Sequence, residues 1–160
     1  MNRYRKLTYG GLIGALVFLA TYIFSFPIPT GYLNFGDGII LISSIILGPF
    51  AAVPAAIGSI LADISAGFAM YVPFTFVIKG LLAFVPAMLL RGKKITWKTM
   101  IFPFALAELI MVTGYFIADT ILWDIGGIAA VPLNILQGVF GMIIGITGSV
   151  VVLKSKIKRY

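Results

Sequence analysis

Residues 58–84 have the sequence GSILADISAGFAMYVPFTFVIKGLLAF, in which two charged residues interrupt otherwise apolar runs. Asp63 lies before a break at 67–73, and Lys79 lies after it. A charge at the centre of a membrane helix costs roughly 2.5–3.5 kcal/mol on insertion scales, so such residues are rare unless they pair or line a cavity. This stretch therefore predicts two adjacent membrane helices that share a polar feature.

The composition indicates that lipid is the solvent for most of the chain. Of the 160 residues, 61% are hydrophobic and 11% are charged, and the mean hydropathy is +1.10. A soluble domain has about 25% charged residues and could not bury this much apolar surface. The chain has no cysteine and no histidine, which excludes disulfides, the usual zinc ligand sets and nucleophiles that depend on histidine. We therefore expect no metal and no other cofactor.

Breaks in the apolar pattern divide the chain into six segments. This pattern predicts an all-α bundle of six transmembrane helices, in a single domain over residues 1–160. The second segment has about 11 residues, roughly 16 Å at 1.5 Å per residue, and cannot cross a ~30 Å hydrocarbon core alone. We expect it to lie tilted inside the bundle or to share its crossing with the segment before it. The spans are 7–26, 38–48, 50–68, 73–90, 98–122 and 129–153.

The basic residues predict the orientation of the bundle. Of the twelve basic residues, all but Lys79 lie before helix 1, between helices 4 and 5, or after helix 6. Six crossings place these three regions on the same side of the membrane. Because cytoplasmic loops carry the excess of Lys and Arg, both termini are predicted to be cytoplasmic. The net charge of +7 then reflects topology and anionic lipid headgroups, and no nucleic-acid partner is expected. These residues are Arg3, Arg5, Lys6, Arg91, Lys93, Lys94, Lys98, Lys154, Lys156, Lys158 and Arg159.

Asp63 and Lys79 fall at a similar depth on adjacent antiparallel helices, so their side chains can pair. One interpretation is a salt bridge that braces helices 3 and 4, and the other is an outward-facing polar pocket with one or both residues in its wall. The pocket is favoured because other polar groups gather in the outer half, among them Asn134 and Gln137 on one face of helix 6. The remaining binding candidates are Tyr32, Asn34, Asp37, Glu108, Tyr115, Asp119 and Trp123, and the aromatic residues at this level also include Phe35, Tyr71 and Phe74.

Small residues on helix 1 predict a close contact with another helix. Gly10 and Gly14 are four residues apart, as are Gly11 and Ala15, and small residues on one face let helices approach closely in lipid. At this cytoplasmic end the contact could be made inside the chain or with a second subunit. A similar stripe in helix 6 is interpreted as packing inside the chain, and it consists of Gly138, Gly141, Gly145 and Gly148.

The order of these features resembles a known membrane protein family. The stretches that carry the resemblance are YLNFGDGIILISSIILGPFAAVPAAIGSILADISAG (32–67), YVPFTFVIKGLLAF (71–84) and VPLNILQGVFGMIIG (131–145). They are similar to the substrate-binding (S) components of energy-coupling factor (ECF) vitamin transporters, in the riboflavin-type branch. The resemblance covers nearly the whole chain.

The resemblance implies a multi-pass subunit of a prokaryotic cytoplasmic membrane, not an enzyme. It implies capture of a small vitamin or precursor from outside, between the outer ends of helices 4, 5 and 6 and under the loop joining helices 1 and 2. The partners it implies are a transmembrane coupling (T) subunit, reached through the small residues of helix 1, and two cytoplasmic ATPases. Delivery would follow by toppling of the chain in the membrane. The ligand class stays open among B6 vitamers, hydroxymethylpyrimidine and riboflavin-like compounds.

Two other functions stay open on the residues alone. A small intramembrane enzyme could use Asp63, Asp119 or Glu108, but the sequence has no paired-carboxylate or metal-ligand spacing. A membrane assembly subunit without a ligand would need these residues only for packing. In either case this chain has no phosphate-binding loop and cannot power uphill transport by itself.

Overall fold

The computed structural model describes residues 2–28, 31–124 and 127–155, and most of them are helical. Lys156, Lys158 and Arg159, which contribute to the predicted orientation, lie outside the described residues. Short 3₁₀ helices at Gly48–Ala51 and Ala69–Tyr71 precede α3 and α4. The main elements are α1 (Arg3–Ile23), β1 (Ser25–Ile28), β2 (Gly31–Asn34), α2 (Gly36–Leu47), α3 (Ala52–Ser65), α4 (Val72–Leu89), α5 (Trp97–Trp123) and α6 (Gly127–Lys154).

Five helical stretches within the described residues are long and apolar enough to cross a membrane. One of them, Gly36–Ser65, combines α2, the first 3₁₀ helix and α3 over 30 residues. The mostly helical, membrane-type fold is thereby confirmed, whereas the number of crossings and the side of the termini stay predictions. The other four stretches are Arg3–Ile23, Ala69–Leu89, Trp97–Trp123 and Gly127–Lys154.

The first helix extends further towards the N-terminus than the apolar pattern predicts. It begins at Arg3, not at residue 7. The side chain of Asn2 caps it by accepting a hydrogen bond from the Arg5 backbone N–H at 3.0 Å. Asn is among the preferred capping residues and Arg and Lys are good helix formers, so the polar start continues the helix.

A β-hairpin between α1 and α2 is the element that the all-α prediction missed. β1 and β2 pair antiparallel, with Ser25 opposite Asn34 and Ile28 opposite Gly31. Each strand has only four residues, and β1 contains Pro27, so the pattern was read as a break. The hairpin positions β2 beside α6 and directly before α2, and this places it at the end of the bundle where the polar residues gather.

The contacts of α1 and α3 show that these helices run in the same direction. A Cβ atom added at Gly10 would lie 3.0 Å from the Phe50 ring, and one at Gly14 would lie 3.4 Å from the Pro54 carbonyl oxygen. Further along, Gly58 faces the Gly14 carbonyl and Val17. The chain therefore turns back between α2 and α3, at Gly48, whose φ of +59° suits glycine.

The glycine stripe of α6 packs inside the chain, as predicted. Gly141 lies against Asp37 and Glu108, Gly145 against Leu41 and Phe104, and Gly148 against Ile42. Without side chains at these positions, α6 approaches both α2 and α5 closely. The same contacts show that α2 and α6 run in the same direction. Asp37 at the start of α2 and Glu108 of α5 are thereby brought against one face of α6.

Candidate functional site

Amide side chains tie the hairpin to α6 and α2. The Asn34 backbone N–H donates to Gln137 Oε1 at 3.0 Å, and Gln137 Nε2 donates to Asp37 Oδ2 at 2.7 Å. Asn34 Oδ1 in turn accepts the Gly36 backbone N–H at 3.0 Å, next to the start of α2. One glutamine therefore bridges the hairpin and the first turn of α2.

Lys79 forms its salt bridge with Asp37, so the predicted Asp63–Lys79 pair is wrong. Both partners are buried, with 1% and 0% of their side chains exposed. The ammonium also lies 5.1 Å from the centre of the Tyr115 ring, a favourable cation–π arrangement. Asp37 takes this position because α2 starts between α4 and α6, at the same depth as Lys79.

Asp63 is held by the hairpin instead. The Tyr32 hydroxyl donates to Asp63 Oδ1 at 2.5 Å. Burial of the phenol, followed by the nearby Asp63 charge, raises the pKa of Tyr32 well above its ordinary value. Tyr32 therefore stays protonated at physiological pH and serves as a hydrogen-bond donor. This bond joins β2 to the C-terminal end of α3.

A second tyrosine holds the opposite carboxylate in the same way. The Tyr71 hydroxyl donates to Asp119 Oδ1 at 2.5 Å and accepts a hydrogen bond from Trp123 Nε1 at 2.9 Å. Tyr71 ends the short 3₁₀ helix just before α4, and Asp119 and Trp123 lie in the last turns of α5. The indole and the carboxylate are thereby fixed relative to each other.

These groups surround a cavity beneath the hairpin, which we call the hairpin pocket. It measures about 40 Å³ within a wider depression of about 410 Å³ that is open to solvent. Apart from one aliphatic residue and one glycine, the described residues that line it are polar or aromatic. They are Ile28, Gly31, Tyr32, Asn34, Asp63, Tyr71, Tyr115, Asp119, Asn134 and Gln137.

Most of the predicted binding residues meet at this pocket. Asp37 and Lys79 lie beneath it and reach it through Gln137, and Trp123 lies at its edge with 42% of its surface exposed. Tyr71 also lines the pocket, although the sequence pattern places it only among the aromatic residues of the outer half. Its position just before α4 is the signal that could have identified it as a binding residue. The predicted residues in the lining are Tyr32, Asn34, Asp63, Tyr115, Asp119, Asn134 and Gln137.

Glu108 lies deeper than the pocket, between α5 and α6. It is 4% exposed, and neither carboxylate oxygen has a hydrogen-bond partner among the described residues. Its neighbours include Gly138 and Gly141 of α6. Within the described ranges, no group of three or more acidic side chains is arranged to hold a metal ion. The side chains described at the pocket offer hydrogen bonds, charge and aromatic surface.

The small residues of α1 line a second, apolar cavity on the outer face of α1 and α3, which we call the α1–α3 groove. Its volume is about 460 Å³, and it includes Gly10, Gly11, Gly14 and Ala15. Gly10 and Gly14 pack against α3, whereas Gly11 and Ala15 are exposed and a side chain on Gly11 would meet nothing within 4 Å. Of these four small residues, Gly11 and Ala15 are thus the two with free surface.

Comparison with known proteins identifies the family. The model of the ECF-type riboflavin transporter S component matches residues 1–152. The chain belongs to this family. The S component described here is thus a substrate-binding subunit of an ECF transporter, a transport family and not a class of enzymes.

Individual relatives of this S component agree with the assignment. It is 32% identical over 145 residues to the Thiamine precursor transporter HmpT of Lactococcus lactis subsp. cremoris, covering 88% of this chain and 82% of that protein. It is 34% identical over 133 residues to an uncharacterized protein of Pyrococcus woesei, covering 81% and 88%. A solved S component of a bacterial ECF transporter shares its fold, with a TM-score of 0.75, 20% identity and coverage of 96% and 98%.

Proposed function

We propose that this S component captures a small vitamin or vitamin precursor from outside the cell in the hairpin pocket. The observation that carries the proposal is the convergence of Asp63, Asp119, Asn134 and Gln137 with three tyrosine rings around one open cavity. Such a combination of aromatic walls and a few fixed polar groups is what pockets for small ring-shaped ligands use. The relative named as a thiamine precursor transporter supports a vitamin precursor as the cargo.

We further propose six crossings, with both termini on the cytoplasmic side of a prokaryotic membrane. Support comes from the parallel course of α1 and α3, which requires α2 to run back between them. The basic residues Arg91 and Lys93 lie beside Gly48 at the turn between α2 and α3, at the end of the bundle away from the pocket. By the positive-inside rule that end faces the cytoplasm and the pocket opens outward.

We propose the α1–α3 groove as the face that docks on a transmembrane coupling subunit, which works with two ATPases. Gly11 and Ala15 leave a smooth, exposed surface in a groove lined otherwise by apolar residues. A helix of the partner can approach such a surface closely. Bound substrate would then be delivered by toppling of the S component within the complex.

Mass spectrometry of small molecules that co-purify with the detergent-solubilised S component tests the proposal. We expect a vitamin or precursor at up to one molecule per chain, released on denaturation, and binding of the same compound by calorimetry. Asp119→Asn should reduce the bound amount, whereas Lys98→Met, at an exposed residue in the first turn of α5, should not. A preparation that binds none of the water-soluble vitamins or their ring precursors would contradict the proposal and favour a subunit without a ligand.

A further inference from the structure

A further cavity lies at the end of the bundle away from the hairpin pocket, and we call it the basic pocket. Its volume is about 180 Å³. Its floor is buried and includes Ile45, Gly48 and Leu90. Its rim comes from the loop between α4 and α5, where the side chains of Arg91 and Lys93 are exposed.

The charged groups of the basic pocket are all positive. Arg91 and Lys93 lie on its rim, and no acidic residue is among its described lining residues. The Ser44 hydroxyl also lines the pocket, but it donates its one proton to the Leu41 carbonyl oxygen at 2.6 Å. A ligand therefore meets two cationic side chains above a largely apolar floor, which favours an anion that has apolar surface next to it.

The chain supplies no counter-ion to this end of the bundle. Of its five acidic residues, Asp63 and Asp119 line the hairpin pocket, and Asp124 follows the end of α5 beside it. The other two, Asp37 and Glu108, are buried beneath that pocket. The cations on the rim of the basic pocket therefore have no ion-pair partner among the described residues, and any counter-ion must come from outside the chain.

The helix ends around the basic pocket do not reverse its sign. α2 and α4 end here, at Leu47 and Leu89, and their carbonyl ends carry partial negative charge. α3 and α5 begin at the same end of the bundle, at Ala52 and Trp97, and their N–H ends carry partial positive charge of similar size. Because these contributions offset one another, the basic side chains determine the potential at the rim.

The residues beside the basic pocket indicate that its mouth lies at the membrane interface. Trp97, in the first turn of α5, has 54% of its surface exposed, and tryptophan is enriched at this level of the bilayer. Exposed apolar residues follow in the adjoining turns, among them Met88 of α4 and Phe102 of α5. An anion with acyl chains can lay those chains along these helices, whereas a free phosphate gains nothing from them.

We propose that the basic pocket binds the headgroup of an anionic phospholipid. Arg91 and Lys93 hold the phosphate, and the apolar floor and the adjoining helices contact the glycerol and the acyl chains. Basic pockets between transmembrane helices at the cytoplasmic side are a recurring type of site for such headgroups. The inference depends on neither the vitamin nor the coupling subunit, and the proposed orientation assigns the lipid to the cytoplasmic leaflet.

Native mass spectrometry of the detergent-solubilised S component with added lipids tests the proposal. The probes are phosphatidylglycerol, phosphatidylcholine with the same acyl chains, and glycerol 3-phosphate as a headgroup without chains. We expect phosphatidylglycerol to bind about tenfold more tightly than phosphatidylcholine, since two basic residues attract its net charge. Equal binding of the two lipids would contradict the proposal. Glycerol 3-phosphate that binds as tightly as phosphatidylglycerol would show that the pocket holds a soluble phosphate, not a lipid.

Variants with matched charge then assign the preference to the pocket. Arg91→Gln with Lys93→Gln should reduce the preference for phosphatidylglycerol to near unity. Arg3→Gln with Arg5→Gln removes the same charge from exposed residues at the same end of the bundle, outside the pocket, and should keep the preference. All four side chains are exposed, so both variants should fold. Equal losses in the two variants would show a response to total charge and would overturn the site.

An acidic segment of a partner subunit is the competing occupant of the basic pocket. If Arg91→Gln with Lys93→Gln abolishes co-purification with the coupling subunit but leaves phosphatidylglycerol binding unchanged, the pocket is a protein-binding site and the proposal is wrong. Lipid binding is measured without vitamin, so this result and the test of vitamin capture can fail independently of each other.

Discussion

Lys79 of α4 and Asp37 of α2 form a buried ion pair directly below the hairpin pocket, and Gln137 connects the pair to the hairpin. The sequence pattern predicts Asp63, not Asp37, as the partner of Lys79. Their pairing means that the ammonium is not free to bind a ligand. It also means that α2, α4 and α6 are held together at the depth at which the pocket ends.

Breaking this ion pair should destabilise the fold. Lys79→Met leaves the Asp37 carboxylate buried without its counter-ion, and removal of one partner of a buried pair costs about 3–5 kcal/mol. We expect a large drop in the unfolding temperature in detergent, and a smaller drop for the double variant Asp37→Asn with Lys79→Met. Lys98→Met, on an exposed lysine, is the control, and a Lys79→Met protein as stable as this control would show that the pair contributes little.

The Tyr32 hydroxyl should matter for both binding and stability. Tyr32→Phe removes the hydrogen bond that orients Asp63, and a hydrogen bond to a charged group contributes about 1.5–3 kcal/mol to stability. We expect ligand affinity to fall about tenfold or more and the unfolding temperature to fall as well, although the variant should still fold because the ring packs against Phe68. Tyr22→Phe, on the exposed face of α1, should leave affinity unchanged. If Tyr32→Phe and Tyr22→Phe changed ligand affinity equally, the Tyr32 hydroxyl would have no role in binding.

The glycines of α6 and α4 should differ in their tolerance of a methyl group. Gly141→Ala places a Cβ atom against Glu108 and Asp37, so we expect overpacking of about 1–3 kcal/mol. Gly80→Ala is the matched helical control, because its nearest neighbours lie 3.9 Å from the added atom. There we expect no loss, or a gain of about 1 kcal/mol from helix propensity. Unfolding temperatures measured side by side decide the comparison, and equal values would refute the close packing.

Bulky side chains in the α1–α3 groove should separate docking from binding. Gly11→Leu with Ala15→Leu fills an exposed groove, and a Cβ atom at Gly11 meets nothing within 4 Å, so ligand affinity and the unfolding temperature should change little. Co-purification with the coupling subunit and vitamin uptake in cells should both fall sharply. Leu12→Phe, at an exposed residue outside the groove, serves as control. Full uptake by the double variant would place the docking face elsewhere.

The apolar runs were sufficient to predict the helices, because few other structures can hold 61% hydrophobic residues. They could not predict the hairpin, since two strands of four residues are too short to show an alternating pattern. The hairpin determines where α1 ends, at Ile23, and where α2 starts, at Gly36. These two bounds therefore could not be predicted from the apolar pattern either.

The polar residues were predictable as a group but not as pairs. Depth along each helix placed Asp63 and Lys79 together correctly, yet Asp37 lies at the same depth on a third helix. Whether Lys79 pairs with Asp63 or with Asp37 depends on the rotation of each helix about its axis and on the neighbouring helices that it contacts. In α2 that rotation is decided by the close contacts of Gly38 and Leu41 with α6, which a single sequence does not reveal.

The turn at Gly48 divides one apolar stretch into helices of 12 and 14 residues, about 18 and 21 Å long at 1.5 Å per residue. With α2 and α3 as separate crossings, as proposed, both are shorter than the hydrocarbon thickness, whereas α5 and α6, at 27 and 28 residues, exceed it. The hydrophobic mismatch, which is the difference between helix length and bilayer thickness, is then negative for α2 and α3 and positive for α5 and α6. Tilt shortens the span of α5 and α6 along the membrane normal and so accommodates their excess length, whereas α3 can be accommodated only by a thinner bilayer beside it. A tilt that suits the long helices leaves the short ones further from spanning, so no single orientation of the bundle fits the bilayer on both sides.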